Sequence, residues 1–279
     1  MAHKVSVCWT MRLQRTQIWT VVGQDAKKPD GHPSETAESL ATNLGSVTTV
    51  VLALLELHQI NKTILHIACY PKDCSGVSGK SGPHIIKPNG SPPLVMYCDM
   101  STDGGGWTMI QRNNQPTEIN WAECWTAYKY GFGNILRDHW LGNEYVYKII
   151  KQRNYKIKFL LRDRYNRLRI ANYDSFAIGN EVSGYRLRLG RYSENAGNAM
   201  VGNQNTVVHD NMKFSTLDRD QDRSSSNCVK SCKGGFWFNN CYRVNLNVKT
   251  SIYWYGLCNG NCKSSQILIK PDNVCKQYN

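Results

Sequence analysis

The chain has 279 residues, with 34 Lys and Arg against 21 Asp and Glu, and a net charge of +13. That length holds one domain plus an extension, and 41% hydrophobic residues with eight Trp and fifteen Tyr suffice for a packed core. The positive charge admits a polyanionic glycan as partner, but no helix-turn-helix, zinc-finger or aromatic RNA-binding signature accompanies it, so nucleic acid is not an expected partner.

Residues 1–46 are poor in structure signals and read as an extension. Met1 to Asp25 mixes basic residues and two Trp without an uninterrupted apolar core, so it does not read as a signal peptide. Pro29 to Ser39 is polar and rich in turn formers, as a linker is. No stretch reaches the roughly eighteen apolar residues of a membrane span.

Residues 47–68 differ. Val47, Leu54, Asn61 and Ala68 fall at one heptad position, and Val50, Leu57 and Ile64 at the other. A polar Asn at an inner place is a register device of short coiled coils. Val47 to Leu57 is also long enough for the apolar core of a signal peptide if the chain starts further in, and the stretch also fits one amphipathic helix packed on its own domain. Asn61 begins the sequon Asn61-Lys62-Thr63, and a glycan there would exclude the coiled coil at that point. A second sequon runs Asn89-Gly90-Ser91.

From residue 69 to 279 the pattern is that of a mixed α+β domain: a twisted antiparallel sheet flanked by short helices, with loop-rich binding ends. Leu94 to Tyr97 and Trp107 to Ile110 read as strands, separated by Gly104-Gly105-Gly106. Trp121 to Gly133 and Trp140 to Ile150 read as helices, the first with Trp125, Tyr128 and Phe132 as a core stripe. Tyr155 to Arg164 and Arg167 to Phe176 read as paired strands joined near Asn166, and Tyr185 to Leu189 as another. Lys156-Ile157-Lys158 and Arg162-Asp163-Arg164 read as solvent faces of strands.

Eleven cysteines point to an oxidising compartment, hence to a secreted, extracellular protein. The number is odd, so at least one thiol is free or pairs between chains. A homo-oligomer therefore has two routes, residues 47–68 and an unpaired cysteine. Cys258 and Cys262 have no second pair to complete a zinc site.

The most informative stretch is Phe214 to Tyr242. Asp218, Asp220 and Asp222 stand at every second residue, followed by Ser224-Ser225-Ser226-Asn227. These are hard oxygen donors of the kind Ca2+ takes; the plainer reading is a solvated acidic turn. Counted from Asp218, the glycine and glutamate places of an EF-hand hold Arg223 and Val229, so that motif is excluded. Cys228 and Cys241 bracket the Gly-Gly-aromatic run Gly234, Gly235, Phe236, Trp237 and Phe238.

Together these motifs resemble the C-terminal domain shared by fibrinogen chains, ficolins, angiopoietins and fibrinogen-like proteins. The resemblance runs from Tyr70 to Pro271. It is carried by Tyr97-Cys98-Asp99-Met100, Gly104-Gly105-Gly106-Trp107-Thr108, Gly131-Phe132-Gly133-Asn134, Trp140-Leu141-Gly142-Asn143, Phe214-Ser215-Thr216 and Asn245-Leu246-Asn247. It implies disulfides Cys74–Cys98 and Cys228–Cys241. It implies a calcium site with carboxylates from Asp220 and Asp222 and backbone carbonyls from Ser224 and Ser226, Asp218 shaping the loop without binding metal.

It also implies a ligand pocket at Cys232, Trp237, Asn240, Cys241 and Tyr242. In ficolin-like members such a pocket takes acetylated sugars beside the calcium loop. In fibrinogen, acidic residues and the histidine after the second cysteine hold a peptide amine. Here Tyr242 stands in the histidine's place, Cys232 stands where a wall residue is usual, and the segment after Asn247 is cut to Val248-Lys249-Thr250-Ser251. The peptide before the second cysteine is cis in many relatives, which raises the question for Asn240–Cys241. An Asp-x-Asp pair could hold a metal for nucleotide-sugar transfer, but no nucleotide-binding βα unit adjoins it. No Gly-x-Ser-x-Gly turn or His-Glu-x-x-His helix occurs either, so an enzyme is not expected. The expected function is recognition of a protein receptor or extracellular-matrix partner through a calcium-braced loop face, with lectin-like binding of acetylated glycans as the alternative.

Overall fold

The computed structural model describes residues 70–202 and 207–272. The expectations for residues 1–46 and 47–68, Asn61 included, lie outside the described residues. Contacts divide the chain into Met1–Cys69 and Tyr70–Asn279, and the described residues all belong to the second unit.

The sheet begins with β1 (Gly82–Ile86), β2 (Leu94–Asp99) and β3 (Trp107–Asn114). The β1–β2 hairpin pairs Ile86 with Leu94 and Gly82 with Cys98, and Asn89 is exposed in its turn. Cys98 is bonded to Cys74, their Cα atoms 5.3 Å apart. Closing a loop of this length stabilises by about 3 kcal/mol on the chain-entropy model. Between β2 and β3 all three glycines have positive φ. A Cβ on Gly105 would strike the Met100 backbone, so the turn needs glycine there.

Next come α1 (Trp125–Tyr130), β4 (Phe132–Gly133), β5 (His139–Trp140) and α2 (Asn143–Ile150). Both helices are shorter than the stretches read over 121–133 and 140–150. At Gly131, φ is 87°, which ends the helix, and a Cβ would overlap the Leu141 carbonyl oxygen, so the position needs glycine. The chain then extends, β4 pairs with β5, and β5 joins β3. The aromatic stripe is core: Tyr128 is fully buried and Phe132 meets both Trp121 and Tyr128 edge-on.

β6 (Tyr155–Arg162) and β7 (Leu168–Ile178) form the expected hairpin, with Asn166 at φ 63° in its turn. β8 (Leu187–Leu189) and β9 (Tyr192–Ser193) pair with β7. A loop-rich region follows, with α3 (Cys228–Cys232), β10 (Val244–Asn245) and β11 (Tyr253–Trp254). Then β12 (Ser264–Pro271) enters the middle of the sheet, giving the order β1-β2-β3-β12-β6-β7-β8. Its Ile267, Leu268 and Ile269 are fully buried, as a central strand requires. Every pairing within this sheet is antiparallel. Among the described residues no helix is long and apolar enough to cross a membrane.

Two solvent-face expectations fail, one on β6 and one just past its end. Lys158 is only 4% exposed: its ammonium pairs with Asp103 and lies 5.1 Å from the Trp107 ring centroid. The apolar residues Trp107, Met109, Leu160 and Leu268 make a second cluster there, which the lysine stem helps to cover. Asp163 is buried too, because its carboxylate accepts the Tyr165 and Arg167 amides and so shapes the β6–β7 turn.

The loop-rich region is fastened to the sheet by buried amides. Asn113 Nδ2 donates to the carbonyls of Leu246 and Val248, both at 2.8 Å. Gln111 Nε2 donates to Leu246 O, Asn247 Oδ1 and Ser265 Oγ. Asn247 Nδ2 in turn donates to Gly235 O at 3.0 Å. A Cβ at Gly234 would overlap the Asn247 carbonyl, so the Gly-Gly pair lets these strands of chain touch.

Candidate functional site

Phe214 anchors the acidic loop by burying its ring against Tyr128, Trp140 and Trp237. Ser215 then exchanges backbone hydrogen bonds with Phe236, which sets the acidic loop beside the Gly-Gly-aromatic run. Asp218 is used structurally. Its Oδ1 accepts from Thr216 Oγ1 and from the Trp125 amide, both at 2.8 Å, and so caps the start of α1, where the neighbouring Cys124 offers no side-chain cap.

Asp222 sits at the far end of the loop. It accepts from the Ser224 amide and from the Cys228 amide, each at 2.9 Å, placing its carboxylate at the N-terminus of α3. Asn227 is the cap of α3, accepting from the Val229 and Lys230 amides. Asp220 lies alongside and accepts from the Asp222 amide at 3.2 Å. Burial pushes the Asp222 carboxyl above its usual range, and the adjacent Asp220 pushes it further. Among the described residues neither carboxylate forms an ion pair. No cluster of three or more His, Cys, Asp or Glu side chains occurs among the described residues, so a cation here would draw its further donors from serine and backbone oxygens. Two adjacent carboxylates with oxygen donors at Ser224 and Ser226 fit a hard divalent cation such as Ca2+, whose charge would relieve their repulsion.

Cys228 is bonded to Cys241, with Cα atoms 5.5 Å apart, and the Asn240–Cys241 peptide is cis. Cys258 and Cys262 are bonded as well. Cys232 is the free cysteine among the described residues, and it is buried. Burial pushes its thiol up to about 11, so it stays neutral and inert at neutral pH. It is therefore not placed to join a second chain, and an oligomer through this cysteine is not supported.

The expected pocket residues divide. Trp237 is not a pocket wall. It is 1% exposed, its indole N–H donates to Tyr185 O at 2.7 Å, and its ring packs on Trp140 and Phe236. Cys232 also faces inward, whereas Asn240 and Tyr242 are exposed and Cys241 half-buried. Tyr242 meets Phe238 on one side and Tyr253 on the other, at centroid distances of 6.2 and 5.5 Å. Beyond Tyr253 a cleft of about 410 Å³ runs to Asn259. The result is an aromatic ridge beside the acidic loop, with one polar tip in Tyr242.

His209 is a residue that no sequence motif marked. It is fully buried between the two halves of this face. Its Nδ1 donates to Trp237 O at 2.8 Å, and its Nε2 accepts from the amides of Arg243 and Val244 at 3.1 and 2.9 Å. Burial first, with the Arg243 charge nearby, lowers its proton affinity to a pKa of about 4. Both ring nitrogens are committed to backbone, so this histidine cannot serve a nucleophile as base.

The family model for the C-terminal globular domain of fibrinogen beta and gamma chains matches residues 70–268. The chain belongs to the fibrinogen C-terminal domain family. A fibrinogen-like protein 1-like protein from Gallus gallus is 48% identical over 192 residues, 67% of this chain and 68% of the relative. Techylectin-5A from Tachypleus tridentatus is 44% identical over 55% of this chain and 51% of its own. Thus the chain spans from half to about two thirds of the relatives it matches. Among solved structures, the fibrinogen-like globe domain of human ANGPTL2 superposes with a TM-score of 0.66 at 34% identity, over 72% of this chain and 99% of that one. The α+β reading with a mainly antiparallel sheet and few short helices is the fibrinogen-like globe.

Proposed function

We propose that the chain is a non-enzymatic recognition protein that works outside the cell. Its fibrinogen-like domain meets a protein or cell-surface receptor through the 214–242 face, braced by Ca2+ held on Asp220, Asp222, Ser224 and Ser226. The observation that carries this reading is the Asp220–Asp222 pair, crowded and, among the described residues, without a cationic partner, tied through Cys228 and its disulfide to Cys241, which stands between the exposed Asn240 and Tyr242. Disulfides within the described unit support export, and exposed Asn89 is available for a glycan. The membership of fibrinogen-like and lectin relatives in one family supports binding without catalysis.

The test is saturable binding of the labelled full chain to intact cells, in calcium, in chelator, and with Asp220→Ala/Asp222→Ala. Binding in calcium that falls in the other two arms is expected. Equal binding in all three would remove the calcium brace, and no saturable binding in calcium would remove the receptor reading. A lectin-type role is the second reading, supported by the likeness to techylectin-5A and by the exposed Tyr242 ridge. It is weakened because Trp237 and Cys232, two expected walls, are turned into the core.

A further inference from the structure

A cleft of about 660 Å³ opens between the β6–β7 turn, the turn at 195–197 and the loop at 256–261. It shares no residue with the 214–242 face. Its lining includes three arginines from the β6–β7 turn and the start of β7, Arg164, Arg167 and Arg169, with Asp163 as the carboxylate among the lining residues. Asp163 offsets only part of their charge: its carboxylate pairs with Arg167 Nε and lies 3.8 Å from Arg169 Nε, one negative charge against three positive ones. It is buried, and it accepts from the Tyr165 and Arg167 amides and from Arg167 Nε at 2.8 Å. These bonds hold Arg167 by the edge of its fork. Among the described residues, the terminal nitrogens of Arg167 and Arg169 and the whole Arg164 guanidinium have no hydrogen-bond acceptor in the protein. Arg169 Nε is buried and unsatisfied.

The guanidiniums are also ordered in advance. Arg164 and Arg167 lie over the Tyr165 ring at 4.6 and 4.9 Å from its centroid. Stacking of this kind removes side-chain freedom that binding would otherwise have to remove. The opposite wall offers the amides of Asn195, Asn259 and Asn261, and little apolar surface beyond Leu257 and Ala196. Guanidinium forks match planar or tetrahedral oxyanions, and amides match hydroxyls. There is no deep apolar pocket to grip a peptide side chain.

We propose that this cleft binds an anionic saccharide, its sulfate or carboxylate held by Arg164, Arg167 and Arg169 and its hydroxyls by the asparagine wall. The test is titration of the full chain with a size-defined heparin oligosaccharide at physiological salt, with poly-glutamate as the peptide arm. Saturable oligosaccharide binding is expected. Arg164→Glu should weaken it by about tenfold or more, the loss of one charge-assisted contact and its replacement by a like charge. Because Arg164 is exposed and makes no ion pair, this variant should melt as the wild type does. Arg169→Gln should weaken binding too, while Lys156→Gln, at the other end of β6, should leave it unchanged. Absent binding, indifference to Arg164→Glu, or an equal loss in Lys156→Gln would each overturn the proposal. So would poly-glutamate binding as tightly with the same arginine dependence, which would mark an acidic-peptide site.

Discussion

Acid should loosen the recognition face through His209. Its neutral ring donates once and accepts twice, tying Trp237 to Arg243 and Val244 across the segment that carries Cys241 and Tyr242. Adding a proton at Nε2 would turn that acceptor into a donor facing two N–H donors, at a ring wholly buried from solvent. The folded pKa of about 4 lies below the ordinary 6.5, so the proton prefers the unfolded chain. Stability from this group is therefore complete above about pH 6.5 and is lost as pH falls toward about 4. That interval, at 1.36 kcal/mol per pH unit, amounts to about 3 kcal/mol. Against typical stabilities of about 5–15 kcal/mol this is a large fraction. The assay is urea unfolding from about pH 7 to about pH 4.5, comparing wild type with His209→Gln, which keeps a donor and an acceptor but cannot titrate. Wild type should lose about 1 kcal/mol per pH unit more than the variant within the window. Parallel pH profiles, or a His209 ring that titrates near its ordinary value by NMR, would refute the reasoning.

Calcium should raise the melting temperature, by an amount equivalent to about 2.7 kcal/mol at a hundred times the dissociation constant. Asp222→Ala should abolish that rise, and identical melting in calcium and chelator would show that the loop holds no cation. Calorimetric titration with N-acetylglucosamine in calcium should give no saturable heat, since the Trp237 ring is unavailable as a wall. Saturable heat that vanishes in Tyr242→Phe would promote the lectin reading instead.

The strands were legible where alternation met turn chemistry. Leu94 to Tyr97, Trp107 to Ile110 and the β6–β7 hairpin each extend the stretch read from sequence or match it within a few residues. Helix ends were less legible, because α1 ends where Gly131 turns to positive φ and packs its bare Cα against the Leu141 backbone, ten residues away in sequence. Lys158 reads as a solvent residue by charge, yet its burial depends on Asp103, fifty-five residues earlier. In the site, Asp218 reads correctly as a shaping residue, and its task at the start of α1 becomes visible only when the two segments meet. Trp237 marks the family, but a motif cannot say which way an indole points. His209 carries no local signal at all: its partners lie 28, 34 and 35 residues downstream and are all backbone.

The amide bonds from Asn113 and Gln111 act as a seam between sheet and loops, and the seam stops at Val248. Beyond it, Lys249, Thr250 and Ser251 are exposed, and the chain is caught again at buried Ile252. Among the described residues, the hydrogen bonds that hold the loop region in register are thus made on either side of this stretch. Its length can therefore vary at little cost to these bonds, while the surface leading into Tyr253, the ring that Tyr242 meets, changes with every residue gained or lost. The stretch is a natural cassette, and exchanging it between family members would transplant the rim of a binding site while leaving its foundation in place.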